Sequence, residues 1–242
     1  MNPRKEMQAV ILAGGLGTRL RPITEKIPKP MVSINGKPFL EYKLDQLRDQ
    51  NIKNVILCVS YLGEQIENYF RDGKNFGVNL RYSYEKEPLG TAGAIKNAES
   101  LIEDSFILMN GDTYSDINFL DLFLSHNPCP VTMVVTSATN PLEQELVKIE
   151  KGIISQFYPR GTFEHRDHLK KNSNPSINAG VYVIDREILN LIPSGKVSLE
   201  QEIFPALTGR IKGFEYKGYI IDISNIRYCK EFEEYLRRKN DN

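Results

Sequence analysis

The sequence predicts an α/β fold, a Rossmann-like core in which buried parallel strands alternate with helices. Three observations predict it. Apolar runs of strand length ("MQAVILA", "NVILCVS" and "SFILMNGD") recur through the first half, as expected of strands covered on both faces. Segments with helical spacing of apolar residues lie between them. From about Pro128 strand patterns follow one another with little helix between, so the sheet should turn mixed there.

Each element follows in order. "FLEYKLDQLRDQ" sets Phe39, Leu40, Leu44 and Leu47 on one helical face. "GEQIENYFRDG" reads as a short helix closed by Gly73. "VNLRYSYE" alternates like a strand, and "TAGAIKNAESLI" is an Ala-rich helix that Thr91 can cap. The run "SFILMNGD" is followed by the helix "NFLDLFLSH". In the second half "PVTMVVTSA", "ELVKIEKGIISQFYP" and "SINAGVYVIDR" read as strands, the second with a hairpin turn at Glu150-Lys151-Gly152. The polar stretch "RGTFEHRDHLKKNSNP" is expected to be a mobile loop beside the site. Helices "SLEQEIFPALT" and "EFEEYLRRK" flank the late strands "IKGFEYKG" and "YIIDIS". With no repeat and no linker, one domain over 1–242 is expected, in halves of about 1–127 and about 128–242.

Composition narrows the function classes. A chain of 242 residues buries a substantial core. Lys+Arg and Asp+Glu both number 31, for zero formal net charge. That argues against charge-driven binding to nucleic acid or to an acidic membrane surface. Cys58, Cys129 and Cys229 are scattered without Cys-x-x-Cys spacing, as free thiols in a reducing cytosol would be. The longest apolar runs are far short of a membrane span. The opening "MNPRKEM" is not followed by an apolar stretch of signal length, because Gly14 and Gly15 break it. A soluble, cytoplasmic protein is expected.

The stretch "AVILAGGLGTRLRP" carries the chemistry. Open α/β sheets bind ligands at the carboxyl ends of their strands, where Gly14, Gly15 and Gly17 fall. Bare backbone there lets N–H groups approach a phosphate, and Thr18 and Arg19 add a hydroxyl and a bidentate cation. A tight turn explains one or two glycines but not the adjacent Thr-Arg. The dinucleotide fingerprint fails at Leu20, and no Walker Gly-Lys-Ser/Thr occurs. Ten residues past Arg19, "PKP" puts Lys29 between two prolines that stiffen its backbone. Asp112 follows a buried strand and Asp222 follows "GYII". Two such carboxylates converging on one ion would make a Mg²⁺ site, although each alone also suits a turn. The histidines (His126, His165 and His168) sit on polar ground and fit no triad; His165-x-x-His168 reads as a solvated loop rather than a zinc site.

"LAGGLGTRLRP" followed by "PKPM" resembles the signature of the sugar-1-phosphate nucleotidylyltransferases. Collinear matches run on through "EPLGTAGA", "LMNGDTY", "NAGVYV" and "SLEQEIFP", so the similarity covers nearly the whole chain. It implies a Rossmann-like α/β/α sandwich with a mixed central sheet and a sugar-binding C-terminal half. The β-helix that often follows the catalytic domain in this family is not expected in this chain. It also implies a reaction: a sugar 1-phosphate oxygen attacks the α-phosphate of a nucleoside triphosphate, and pyrophosphate leaves. The nucleophile is already an anion, so alignment and charge neutralisation suffice.

By resemblance, Asp112 and Asp222 hold the catalytic Mg²⁺, Arg19 handles the leaving pyrophosphate, and Lys29 bridges the reacting phosphates. Ala13, Gly14, Gly15, Gly17, Thr18, Glu85, Gly90, Thr91 and Gly111 would form the nucleotide site, with Gly90 and Gly93 letting a flat base lie against the backbone. Asn178, Gly180, Glu200 and Arg160 would hold the sugar phosphate. The run "LGTAGA" is similar to guanylyl- and some uridylyltransferases and favours GTP. "EKEPLGTAGAIK" in this compact form is most similar to members acting on D-glycero-α-D-manno-heptose 1-phosphate, ahead of mannose 1-phosphate guanylyltransferases and N-acetylmuramate 1-phosphate uridylyltransferases. The sugar half departs from the pattern. "FYPRG" sets Arg160 where Lys is usual and Pro159 where Glu is usual, and a glycine common near "VKIE" is missing. Those departures raise a reading of another class, a non-catalytic nucleotide-sugar-binding regulatory subunit. Retention of Arg19, Lys29, Asp112 and Asp222 argues against it.

Overall fold

The computed structural model describes residues 7–240, apart from 139, 143 and 173. β1 (Gln8–Leu12) runs into the glycine-rich loop. A small hairpin of β2 (Ser33–Ile34) and β3 (Lys37–Pro38) leads into α1 (Phe39–Asp49). Then come β4 (Asn54–Val59), α2 (Gly63–Phe70), β5 (Asn79–Tyr84), α3 (Gly90–Asn97) and β6 (Phe106–Asn110). β7 (Thr113–Ser115), α4 (Phe119–Ser125), β8 (Val131–Ser137), β9 (Leu146–Glu150) and β10 (Ile153–Tyr158) follow. After α5 (Phe163–Lys171) and β11 (Ser176–Ile184), a π-helical turn at Leu199–Ile203 continues into α6 (Phe204–Ala206). β12 (Ile211–Glu215), β13 (Ile220–Asp222) and α7 (Ile226–Asn240) close the described chain.

The main sheet has nine strands in the order β5-β4-β1-β6-β11-β8-β12-β10-β9. β5, β4, β1 and β6 are mutually parallel, whereas β11 is antiparallel to both β6 and β8. The fold is therefore a Rossmann-like mixed α/β sheet. Val10, Ile56 and Leu108 face one apolar core, while Ala9, Ile11, Leu57 and Met109 face another. Each strand residue is thus covered whichever way it points, which is why these strands read as unbroken apolar runs. From β1 the chain winds outward to β4 and β5, then returns to β6 on the other side of β1. That reversal opens a crevice past the carboxyl ends of β1 and β6.

A third cluster packs α7 beneath the signature loop. Phe232 contacts Phe39 and Tyr114 at ring-centroid distances of 5.5 and 4.8 Å, and Leu20 is buried in the same cluster. β13 pairs with β7, placing Asp222 opposite Thr113. This pairing brings the late chain to the end of β6.

Several expectations need correction. The segment expected as a mobile loop contains α5, capped where the Thr162 hydroxyl accepts from the His165 N–H at 3.1 Å. His165 is buried, with Nε2 2.9 Å from the Gln144 carbonyl oxygen, and His168 stacks on Tyr158 at 4.0 Å. The pair therefore does not lie in a solvated loop. His126 is buried too, held between Thr132 at 2.9 Å and Asp185 at 3.0 Å, so polar ground was the wrong setting for it. Gly73 does not close α2: the helix ends at Phe70, Arg71 turns to a positive φ of 49, and Gly73 opens a separate 3₁₀ turn. "SLEQEIFPALT" is a π turn and a short helix rather than one regular helix, with the Ile203 N–H reaching back five residues to Ser198. The hairpin is as expected, with Lys151 and Gly152 both at positive φ.

Candidate active site

The glycine loop starts where β1 leaves the sheet. The Ala13 N–H donates to the Cys58 carbonyl at 2.8 Å, and the Gly111 N–H donates to the Leu12 carbonyl at 2.9 Å. A side chain at Gly111 would run into that Leu12 carbonyl. Gly17 stands at φ +61, where a Cβ would also press on the Lys29 side chain at 3.0 Å. Around Gly15 there is open space, so ligand can approach its backbone directly. Thr18 and Arg19 are exposed on a single 3₁₀ turn fixed by buried Leu20.

Two adjoining cavities meet at the end of β6. The smaller, about 300 Å³, is lined by Gly14, Gly15, Glu85, Gly90, Thr91 and Gly111 among others. The larger, about 810 Å³, brings together Arg19, Arg160, Asn178, Gly180, Glu200 and Asp222. Asn110 and Asp112 wall both, and Lys29 lies on the smaller one. Ala13, Gly17 and Thr18 line neither; they shape the loop. Glu85 faces Gly14 and accepts from the Leu89 N–H at 2.9 Å, and burial raises its carboxyl above the ordinary range.

Lys29 is the hub. Its Nζ lies 2.6 Å from Asp112 Oδ2 and 3.5 Å from Asp222 Oδ1, and the residue is only 7% exposed. Burial works to raise the Asp112 carboxyl, but the charge and hydrogen bond of Lys29, with the Lys43 charge, hold it below its usual range. Asp222 goes the other way, pushed up to about 6 by burial and then by the neighbouring Asp112 charge. Its Oδ1 is buried, with only the long 3.5 Å ion pair to Lys29 and no closer hydrogen bond. Two adjacent carboxylates, one with a buried oxygen held only by a long ion pair, fit a hard divalent ion. Among the described residues no cluster of three or more candidate ligands exists, but Mg²⁺ keeps several waters and takes only one or two carboxylates beside substrate phosphates.

Three details of the expected site change. Thr91 does not cap α3, whose N-cap is Leu89 without a side-chain cap. Its hydroxyl instead donates to Glu200 Oε2 at 2.6 Å and accepts from the Leu199 N–H at 2.8 Å. The space that the absent side chains open at Gly90 and Gly93 is filled by main chain rather than left for a base. A Cβ at Gly90 would sit 2.5 Å from the Val197 carbonyl, and one at Gly93 would meet that of Gly195. On the sugar side, Asn178 donates to the Tyr182 hydroxyl at 2.7 Å and accepts from the Gly180 N–H at 3.0 Å. Gly180 is at φ +69, against Asn110.

Sequence reasoning missed Asn110, Lys43 and Glu145. Asn110 was visible as the residue before Gly111-Asp112. Lys43 is fully buried on α1 and donates to the Thr113 carbonyl, directly after Asp112. It carried no signal, since lysine on an amphipathic helix reads as surface. Glu145 lines the larger cavity beside Arg160 and Glu200.

A glycine loop, a buried lysine and paired aspartates at the reversal of a mixed α/β sheet are the parts of a phosphate-handling enzyme. The chain belongs to the nucleotidyl transferase family, whose model matches residues 8–212. It is 39% identical over 227 residues to D-glycero-α-D-manno-heptose 1-phosphate guanylyltransferase of Campylobacter jejuni, covering 90% of this chain and 94% of that protein. Mannose-1-phosphate guanyltransferase β-A of Xenopus laevis is 35% identical over 90% of this chain, which spans only 61% of that relative. Among solved structures, HddC from Yersinia pseudotuberculosis complexed with GMP-PN superposes with a TM-score of 0.81 at 32% identity, covering 95% of this chain and 99% of HddC.

Proposed function

We propose that this protein is a guanylyltransferase. In that reading it transfers GMP from GTP to a sugar 1-phosphate, D-glycero-α-D-manno-heptose 1-phosphate first, and releases pyrophosphate. The observation that carries the reading is Lys29, buried between Asp112 and Asp222 where the two cavities meet. The heptose-specific relative, which this chain covers almost end to end, supports the choice of acceptor.

In this reading GTP takes the smaller cavity, with its phosphates over the backbone of Gly15 and Gly17 and the Thr18 hydroxyl. The sugar 1-phosphate takes the larger, held by Asn178, Gly180, Glu200 and Arg160. One P–O bond forms at the α-phosphorus as the bond to pyrophosphate breaks. The attacking oxygen carries no proton, so no base is needed, and the histidines are engaged elsewhere: His126 and His165 in buried hydrogen bonds, His168 against Tyr158. Lys29 neutralises charge between the reacting phosphates, and Arg19 follows the charge that builds on the leaving pyrophosphate. Asp112 and Asp222 would hold a Mg²⁺ ion, which supplies further neutralisation and alignment of the phosphate oxygens. A cytoplasmic setting belongs to the same proposal, supported by three free cysteines. Among the described residues no helix is long and apolar enough to cross a membrane.

The test is pyrophosphate release across a matrix of nucleoside triphosphates and sugar 1-phosphates. GTP with the heptose 1-phosphate should give the highest kcat/KM. No release from any pair would sink the enzyme reading, and preference for UTP with N-acetylmuramate 1-phosphate would sink the substrate assignment.

A further inference from the structure

Glu145 stands just before β9, where Leu146 pairs with Ile177 of β11. Carried one residue outward, the antiparallel register sets Glu145 beside Asn178. Leu146 and Ile177 are buried together with Tyr158, so strand alternation turns Glu145 and Asn178 to the opposite face. Both line the larger cavity there, with Arg160 and Glu200. Burial raises the Glu145 carboxyl, and the Glu200 charge raises it further, while Arg160 and His165 act the other way. The two carboxylates therefore share one wall. Glu200 spends Oε2 on the hydroxyls of Thr91 at 2.6 Å and Ser198 at 3.0 Å, which leaves Oε1 for a ligand.

We infer that Glu145 is a specificity-determining residue which, with Glu200, makes this wall receive neutral sugar hydroxyls and reject an acceptor carrying a second anion. The inference rests on the reading above that a sugar 1-phosphate occupies the larger cavity. Ionised carboxylates only accept hydrogen bonds, and hydroxyls supply the donors they lack. A third negative charge beside two carboxylates in a half-buried wall would be disfavoured. Selection of this kind works by repulsion as much as by contact. The acceptor's own phosphate is served by cations instead, Lys29 at one end and Arg160 on the wall. The substrate class is thus a polyhydroxylated sugar 1-phosphate without a carboxylate or second phosphate at that end.

The experiment compares kcat/KM for heptose 1-phosphate and for N-acetylmuramate 1-phosphate, whose lactyl group is a carboxylate. The wild type should favour the neutral acceptor by a hundredfold or more. Glu145→Gln keeps the shape and removes the charge. It should reduce that ratio at least tenfold, through the sugar KM, with the GTP KM moving less than twofold. Glu145→Ala should reduce the ratio as well while weakening the neutral acceptor more. An unchanged ratio in Glu145→Gln, or a shift confined to the GTP KM, overturns the inference. Calorimetric titration of the same two sugar phosphates runs in parallel. If the wild type releases no pyrophosphate the function is wrong, and the ratio of the two affinities still decides the role of Glu145. If neither sugar phosphate binds, both readings fall.

Discussion

Lys43 shows how much a single side chain can set. Burial drives its ammonium down to about 7 from an ordinary 10.5, partly offset by the Asp112 charge. Its ammonium donates to the carbonyl of Thr113, the first residue of β7 and the one directly after Asp112. The folded state thus binds fewer protons than the unfolded state between those two values, so its stability rises with pH across that window. Lys43→Met removes the buried charge. Its stability relative to wild type should be highest at or below about pH 7 and should fall as pH rises toward 10.5. Urea melts at several pH values check this, and a flat difference would mean that Lys43 keeps its charge inside the fold just as it does in the unfolded chain. The same variant should lower kcat, because Asp112 loses a support. Arg19 is a different case: exposed on its turn, it is free to act on substrate. Arg19→Ala should cut kcat by roughly a hundred- to thousand-fold, the usual cost of about 3–4 kcal/mol for one lost transition-state contact. Steady-state kinetics that move only the sugar KM would place Arg19 in the wrong role.

Between elements, the link of α3 to the π turn is the joint of the two cavities. Thr91 borders the smaller, Glu200 borders the larger, and a hydrogen bond of 2.6 Å joins them. Thr91→Val keeps the volume but removes both donor and acceptor. It should raise the sugar-phosphate KM severalfold although Thr91 lines the nucleotide side, and should cost about 1–3 kcal/mol of stability through the groups left unpaired. A change in the GTP KM alone would show that Glu200 is held without Thr91. Here the sequence was only partly legible. The buried strands, the β9–β10 hairpin and the glycine loop follow local rules of burial and turn geometry, and they stand where those rules put them. Thr91 opposite Glu200 is a contact across 109 positions, which no local pattern encodes. α5 was missed because its polar composition hid one packed face, although Thr162 three residues before His165 was a readable cap. Arg160, just before α5, lines the larger cavity. Arg160→Ala should raise the sugar-phosphate KM strongly, and Arg160→Lys should recover only part, since one ammonium cannot form two parallel bonds. An unchanged KM would remove Arg160 from the phosphate.

For the whole molecule, the decisive feature is that one point serves two cavities. The winding of β1, β4 and β5 to one side and β6 to the other creates the crevice, and β13 pairing with β7 closes it with Asp222. Both cavities share Asn110 and Asp112 as a wall. In the proposed reading a triphosphate and a sugar phosphate therefore bring their charges to one place, where Lys29 is already paired with both aspartates. Without a divalent ion, two phosphate ligands should oppose each other's binding; with Mg²⁺ the opposition should vanish. Thermal melts with a non-hydrolysable GTP analogue and the sugar 1-phosphate, singly and together, measure this. A ligand at a hundred times its Kd adds about 2.7 kcal/mol, or roughly 5–11 °C for a chain of this size. With Mg²⁺ the two shifts should add or exceed their sum, and with a chelator the second ligand should add less than half its own shift. Additive shifts in the chelator would place the two sets of phosphates apart, and Lys29 could then no longer be the point at which both substrates meet.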